Sequence, residues 1–250
     1  MSVKRKLLDE FFTPAKSAKS AVQAAPETNR ARSSDSGAVN SGRKPILVVL
    51  PGASGALSKS MATIMMPKLS KHFTVVVREG KWRGWNPNSD ENVASILNVC
   101  PRDGSDYFIL GNSFGNRVLC SLFVNDHFAG RNVPSPRGVI MCGYPMYGEK
   151  YTNERVSLFQ SLPSGVRVCC ISGSNDEFLN RTPASVKDSK AILKGESLFQ
   201  FIIKTMDGAG PEPELHIVPG GGHGVIDVPK SKQEGVVTRV LGIINKFAAK

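Results

Sequence analysis

The strongest candidate for chemistry is Ser113, the central residue of a Gly-Asn-Ser-Phe-Gly sequence. An apolar run at residues 107–110 precedes it and predicts a buried strand, and the run after it has helical spacing. A serine raised on a sharp strand-to-helix turn needs small residues two positions before and after it, because the turn brings backbones close together. Gly111 and Gly115 meet this need. The pattern favours an exposed nucleophile over the alternative, an ordinary glycine-flanked turn.

A serine hydroxyl is a weak nucleophile at neutral pH, so this hypothesis requires a histidine base and a carboxylate that orients it. The candidate base is His223, because it lies in a glycine-rich loop just after the last predicted strand. A glycine-rich turn that merely contains a histidine is the alternative. The other histidines are expected in core or surface roles, and they are His72, His127 and His216.

The candidate acid is Asp176, in the polar turn that follows the predicted strand at residues 166–171. Its neighbour Glu177 competes for the role, although adjacent side chains in a turn point in different directions. An aspartate in such a turn could instead cap a helix. The chain order of serine, aspartate and histidine is the order found in one large class of serine hydrolases, and it favours the catalytic role.

An oxyanion formed beside Ser113 needs two backbone N–H donors. The N–H of Phe114 is the first candidate, since it begins the helix whose positive dipole end faces the serine. The N–H of Ala53 is the second, in the loop after the first predicted strand. A nucleotide-binding interpretation of this loop fails, because that motif needs glycine directly before lysine and Ser58 precedes Lys59. This chemistry uses protein groups alone, so we expect no cofactor and no metal ion.

Alternating strands and helices must position these groups. Apolar or β-branched runs predict strands at residues 46–50, 73–77, 107–110, 138–142, 166–171 and 215–218. Helical spacing occurs at residues 60–69, 91–99, 115–124, 154–162, 184–206 and 232–249, the last with its apolar residues on one face. Alternation of this kind implies a mostly parallel sheet with helices on both faces. Together with the serine turn, it predicts an α/β-hydrolase fold.

Several short stretches, taken together, resemble one small α/β-hydrolase family. That family contains a testis-expressed protein and the third subunit of the nuclear non-specific-lethal histone acetyltransferase complex, and it is related to dienelactone hydrolase. The matching residues are Gly52–Gly55, the serine turn with Arg117, Tyr144 and Pro145, Ser172–Ser174 with Asp176 and Glu177, and the His223 loop. The resemblance implies a domain without a large lid that uses Ser113, Asp176 and His223 as its triad.

The sequence departs from this family at two positions beside the expected pocket. Pro51 replaces a histidine that often precedes the oxyanion glycine, and Phe114 replaces the methionine usual after the serine. Both changes keep the backbone donors and reshape the pocket mouth. Trp82, Arg83 and Trp85, in the loop after the second predicted strand, add a possible aromatic and cationic wall, with packing against their own domain as the alternative.

Composition excludes several classes of protein. The 250 residues are 40% hydrophobic and 21% charged, and no apolar run approaches the roughly 20 residues that span a bilayer, so we expect no membrane segment. The five cysteines are odd in number and form no C-x-x-C pair, which is typical of reduced core thiols in an intracellular protein. Beyond residue 44 the chain has 23 basic and 17 acidic residues, a diffuse surplus that does not predict direct nucleic-acid binding.

The first 44 residues differ from the rest and predict a disordered basic tail, with nine basic against four acidic side chains and a domain following at residues 45–250. Near its start, the tail resembles the peptide that docks on the replication sliding clamp (PCNA), with Leu8, Phe11 and Phe12 in the apolar positions. Arg5 replaces the usual leading glutamine. The basic run at residues 4–6 could aid nuclear import. A mitochondrial presequence is the rival, and Asp9 and Glu10 argue against it.

Two functions follow from these observations. The first is a serine hydrolase of a small ester, thioester or related acyl compound, in the nucleus or cytoplasm and tethered by its tail. The second is a non-catalytic nuclear scaffold or chromatin-complex subunit that retains the fold. The triad candidates favour the first function, and the docking peptide favours the second.

Overall fold

The computed structural model describes residues 43–146, 155, 158–159, 162–163, 165–180 and 213–250. The predicted tail up to residue 42, with Leu8, Phe11 and Phe12, lies outside the described residues. So do the predicted helix at 184–206 and most of the one at 154–162. The prediction that the domain has no large lid also falls on residues outside the described ones, such as 181–212.

One parallel sheet of six strands forms the centre of the described structure. The strands are β1 (Ile46–Leu50), β2 (Thr74–Val77), β3 (Tyr107–Asn112), β4 (Gly138–Cys142), β5 (Val168–Gly173) and β6 (Glu214–Val218), in the order β2-β1-β3-β4-β5-β6. Because β2 and β3 flank β1 on opposite sides, the direction of strand addition reverses there. Sheets of this kind bind ligands in the crevice at such a reversal, outside the carboxyl ends of the strands.

Helices connect the strands and complete the domain. A π-helical turn at Met61–Met65 leads into α1 (Met66–Leu69). Further helices are α2 (Asp90–Leu97), α3 (Phe114–Val124), α4 (His127–Gly130), α5 (Glu177–Asn180) and α6 (Lys230–Ala248). No helix in the described part of the chain is both long and apolar enough to span a bilayer.

Both faces of the sheet are covered, which explains why its central strands are apolar over most of their length. On one face α6 packs against the sheet, and the rings of Phe108 and Phe247 meet edge to face with their centroids 6.2 Å apart. On the other face α3 lies directly over β1, since a Cβ built on Gly115 would lie 3.0 Å from the Cβ of Leu50. The predicted apolar face of the last helix is confirmed, with buried Val237, Val240, Ile244 and Phe247 and partly buried Val236, Leu241 and Ile243.

The predicted element boundaries need small corrections. β2 begins at Thr74, because the N–H of Phe73 still bonds to the carbonyl of Leu69 at the end of the preceding helix. β5 begins at Val168 rather than at residue 166, where the N–H of Val166 closes a turn onto the carbonyl of Pro163. The serine strand β3 continues to Asn112, so it delivers Ser113 without an intervening loop.

Candidate active site

Ser113 occupies a strained turn between β3 and α3. Its backbone has φ 50° and ψ −114°, a region that residues with a side chain rarely adopt. Such a conformation costs about 1–3 kcal/mol and persists only where the surroundings hold it. Here the N–H of Ser113 donates to the carbonyl of Cys142 at 3.2 Å, and its carbonyl accepts from the N–H of Asn116 at 3.1 Å. The turn therefore places the serine beyond the carboxyl end of β3.

The two flanking glycines are required by close contacts. A Cβ on Gly115 would lie 2.7 Å from the carbonyl oxygen of Pro51, at the end of β1. A Cβ on Gly111 would overlap the side-chain oxygen of Asn116. Both positions therefore exclude any larger residue, as the serine-turn hypothesis predicts.

The three triad candidates form one hydrogen-bonded chain. Nε2 of His223 lies 2.8 Å from Oγ of Ser113, and Nδ1 of His223 lies 3.1 and 3.2 Å from the two carboxylate oxygens of Asp176. An ionised carboxylate only accepts hydrogen bonds, so the neutral imidazole carries its proton on Nδ1. Nε2 is then left to accept the hydroxyl proton of Ser113. This is the tautomer that general-base activation of a serine requires.

Asp176 is buried and is held by groups other than His223. It has no solvent exposure, and its carboxylate accepts from the N–H of Phe178 at 2.9 Å and from the hydroxyl of Ser172 at 3.4 Å. Glu177, the competing candidate, begins α5 and is exposed. The geometry therefore brings Asp176, and not Glu177, to the imidazole.

Close backbone packing fixes the loop that carries His223. Gly143, just after β4, has φ 56°, and a Cβ there would overlap the carbonyl oxygen of His223. At the end of β5, a Cβ on Gly173 would overlap the carbonyl oxygen of Gly221. The ring of Phe178 also contacts the imidazole, with centroids 4.4 Å apart. Sequence reasoning missed these three supports, although two are glycines directly at strand ends.

The loop that carries Ala53 lies against Ser113, as the oxyanion hypothesis needs. A Cβ built on Gly52 would be 3.5 Å from the Cβ of Ser113. The carbonyl of Gly52 accepts from the N–H of Gly55 at 2.9 Å and from the indole N–H of Trp82 at 2.7 Å, so the loop is fixed on both sides. Phe114, the other candidate donor, begins α3 as expected.

Aromatic rings surround the start of α3. The ring of Phe114 contacts those of Trp82 and Trp85 edge to face, with centroids 5.5 and 5.7 Å away. Trp82 is only 8% exposed and packs within the protein, whereas Trp85 is 72% exposed. The predicted wall thus divides into one structural and one exposed tryptophan, and Arg83 lies exposed between them.

All five cysteines are buried and unpaired. Burial raises the pKa of the Cys100 thiol to about 11 and those of Cys120 and Cys142 to about 12. These thiols are therefore protonated at neutral pH and are poor nucleophiles. Within the described residues, no group of three or more His, Cys, Asp or Glu side chains could hold a metal ion.

Comparison with solved structures shows the fold. A monoacylglycerol lipase from Paleococcus ferrophilus is 12% identical over 81% of this chain and 96% of its own, with a TM-score of 0.52. RedJ, solved with a polyethylene glycol molecule in its active site, is 13% identical over 79% and 92%, with a TM-score of 0.51. DcsB, solved with a substrate analogue, is 12% identical over 84% and 92%, with a TM-score of 0.50. The chain has the α/β-hydrolase fold. No family model and no curated protein matches it.

Proposed function

We propose that the protein is a serine hydrolase that cleaves a small ester, thioester or related acyl compound through an acyl-enzyme. The observation that carries this proposal is the hydrogen-bonded chain from Ser113 Oγ through His223 to the buried carboxylate of Asp176. A serine with φ 50° is costly to maintain, and the surrounding structure maintains it beside a base. A lipase among the proteins of similar fold is consistent with this class of reaction.

Each group has a distinct role in the proposed reaction. Oγ of Ser113 attacks the acyl carbon while its proton passes to Nε2 of His223, and the N–H groups of Ala53 and Phe114 bind the resulting oxyanion. Asp176 stabilises the imidazolium. His223 then donates the proton to the leaving alcohol or thiol, which yields the acyl-enzyme. Water attacks this intermediate and passes one proton to His223, which returns it to Ser113 as the acid leaves.

A broad fluorophosphonate probe tests the proposal, because it reacts covalently with an activated serine and hardly at all with an ordinary one. The wild-type protein should be labelled at Ser113 and should hydrolyse short p-nitrophenyl esters, and Ser113→Ala should abolish both. Labelling that persists in the alanine variant would assign the activity to another residue.

We also propose that the protein belongs to the testis-expressed and non-specific-lethal subunit family and that residues 1–44 tether the domain at 45–250 to a nuclear partner. The first proposal rests on the matching stretches around Gly52, Ser113 and His223, and the second on Leu8, Phe11 and Phe12 in a basic segment. The sliding clamp is the proposed partner. A scaffold without activity would use the same tail, so the fluorophosphonate result distinguishes a tethered enzyme from a scaffold.

A further inference from the structure

Trp85 is the most exposed large hydrophobic residue in the described part of the chain. Its exposure is 72%, whereas the next such residue, Val124, reaches 39%. This exposed indole leaves apolar surface in water, and its ring contacts Phe114, the residue after the candidate nucleophile. Its position makes it a candidate binding surface for a ligand of the site.

Trp85 lies at the edge of the aromatic cluster that borders the candidate site. Its ring meets the ring of Phe114, the residue after Ser113, almost perpendicularly at 85°. Trp82 contacts the same phenyl ring and donates its indole N–H to the carbonyl of Gly52, beside Ser113. One continuous set of contacts therefore joins Trp85 to both sides of the proposed oxyanion site.

The loop around Trp85 is held by buried polar groups. The amide of Asn92, which has no exposure, accepts from the N–H of Arg83 at 2.8 Å and donates to the carbonyls of Arg83 and Asn86 at 3.2 and 2.9 Å. These bonds fasten the backbone on both sides of Trp85. The indole is thus presented from a fixed loop, which lowers the entropic cost of binding a ligand against it.

A second buried group fixes the start of the same loop. Arg78 is 5% exposed and bonds to the carbonyls of Gly80 and Lys81 and to the hydroxyl of Ser95. Its guanidinium lies over the ring of Trp82, 3.8 Å from the ring centroid. Burial lowers the pKa of Arg78 from its ordinary value, and the group remains a cation at neutral pH.

The charges of the cluster determine which ligands suit it. The guanidinium of Arg78 covers Trp82, and that of Arg117 lies 5.4 Å from the ring centroid of Phe114. The two guanidinium groups already lie over the electron-rich faces of Trp82 and Phe114, so they would repel a positively charged ligand. An indole edge-packed on Phe114 instead suits a planar ring, because aromatic pairs gain from offset or edge contacts.

We propose that Trp85 is a specificity-determining residue that binds a planar aryl group of the substrate, one without a positive charge. This inference rests on the proposed hydrolase function. The substrate class becomes esters or thioesters that carry an aryl group on the acyl or the leaving side, in which the ring contacts Trp85 while the acyl carbon lies at Ser113.

The experiment compares esters of equal bulk that differ in planarity. The two pairs are methyl phenylacetate with methyl cyclohexylacetate, and benzyl acetate with cyclohexylmethyl acetate. We expect the wild-type protein to have the higher kcat/KM for an aryl member, and Trp85→Ala to lower the aryl-to-cyclohexyl ratio roughly fivefold, the size of a lost aromatic pair. Trp85→Phe should keep most of the preference. Val124→Ala, a change at another exposed hydrophobic position, should leave the ratio unchanged.

A ratio that is unaltered by Trp85→Ala would overturn the inference and leave the hydrolase proposal intact. Faster hydrolysis of acetylcholine than of its neutral isostere 3,3-dimethylbutyl acetate would overturn the charge preference. If no ester is cleaved, the aryl site at Trp85 can still be tested apart from the hydrolase proposal. Saturation-transfer NMR then measures the binding of phenylacetamide and cyclohexylacetamide. Tighter binding of phenylacetamide that Trp85→Ala abolishes would retain the aryl site without the hydrolase, and equal binding of both amides would remove the aryl site.

Discussion

The carboxylate of Asp176 lies 3.1 Å from Nδ1 of His223 and is closed to solvent. Its neighbour Glu177 faces outward at the start of α5. The difference arises because the N–H of Asp176 bonds back to the carbonyl of Gly173 at the end of β5. That turn directs one carboxylate inward and the next residue into a helix.

Asp176→Asn should therefore lower kcat by about 10⁴-fold, because an amide no longer selects the imidazole tautomer in which Nε2 accepts the serine proton. Glu177→Gln should change kcat by less than about twofold, since an exposed side chain away from the imidazole has no such role. Steady-state hydrolysis of a short p-nitrophenyl ester by both variants measures the ranking. A larger loss in Glu177→Gln would move the role to that residue.

His223→Ala should lower kcat by several orders of magnitude, because Ser113 loses the base 2.8 Å from its hydroxyl. Single alanine variants of His72, His127 and His216 serve as controls, and each should retain most of the activity. His216 lies on β6, where its Nε2 is 3.5 Å from a carboxylate oxygen of Glu214. Equal losses in all four variants, with lowered melting temperatures, would indicate misfolding.

Local sequence patterns predicted the strands and the serine turn. They did not predict features that depend on contacts between distant segments. The apolar strands and the serine turn are readable because Gly111, Ser113 and Gly115 stand within five residues of one another. Gly143 and Gly173 were missed as supports of the histidine loop, since their need for a small residue comes from the carbonyls of His223 and Gly221. No local pattern contains that information.

The different burial of Trp82 and Trp85 also depends on a contact with a distant segment. The sequence places Trp82 and Trp85 three residues apart and offers no reason to separate them. Trp82 is buried because its indole N–H donates to the carbonyl of Gly52 and its ring lies under the guanidinium of Arg78. Gly52 belongs to a distant segment of the chain.

Asn116→Ala should slow the reaction of Ser113 as well as lower stability. Its side-chain N–H donates to the carbonyl of Cys142 at 2.9 Å, the same carbonyl that accepts from the N–H of Ser113. Loss of this buried bond should cost about 1–3 kcal/mol of unfolding free energy. Because a misplaced nucleophile reacts slowly, the fluorophosphonate labelling rate should fall on the order of 10²-fold at a temperature where the variant is folded.

The matched control for this variant is Asn125→Ala. Asn125 ends the same helix, and its amide donates to the carbonyl of Ser121 at 3.0 Å, far along the chain from the serine turn. We expect the control to label at the wild-type rate. A wild-type labelling rate in Asn116→Ala would show that the amide supports only the fold.

The buried thiols predict a loss of stability in alkaline solution. Cys120 has its pKa raised to about 12 by burial, from an ordinary value of 9.0. Above pH 9 the unfolded chain releases this proton and the folded chain keeps it, so the free energy of unfolding falls as pH rises from 9 towards 12. The slope is on the order of 1 kcal/mol per pH unit for one such thiol. Urea unfolding at pH 8 and pH 10.5 measures the change, and Cys120→Ala should show a smaller loss than wild type.

The last prediction concerns the tail, whose apolar residues Leu8, Phe11 and Phe12 stand in a basic segment with few other large apolar side chains. A peptide of residues 1–19 should bind the sliding clamp in the micromolar range, because Arg5 replaces the usual glutamine and ordering the peptide costs free energy. Replacing both Phe11 and Phe12 with alanine should erase binding. In the full chain, Ser113→Ala should leave clamp binding unchanged, since the proposed contacts involve only the tail. Calorimetric titration at millimolar peptide that yields no heat beyond dilution would remove the clamp as partner, and it would leave the serine hydrolase proposal to be judged on Ser113 alone.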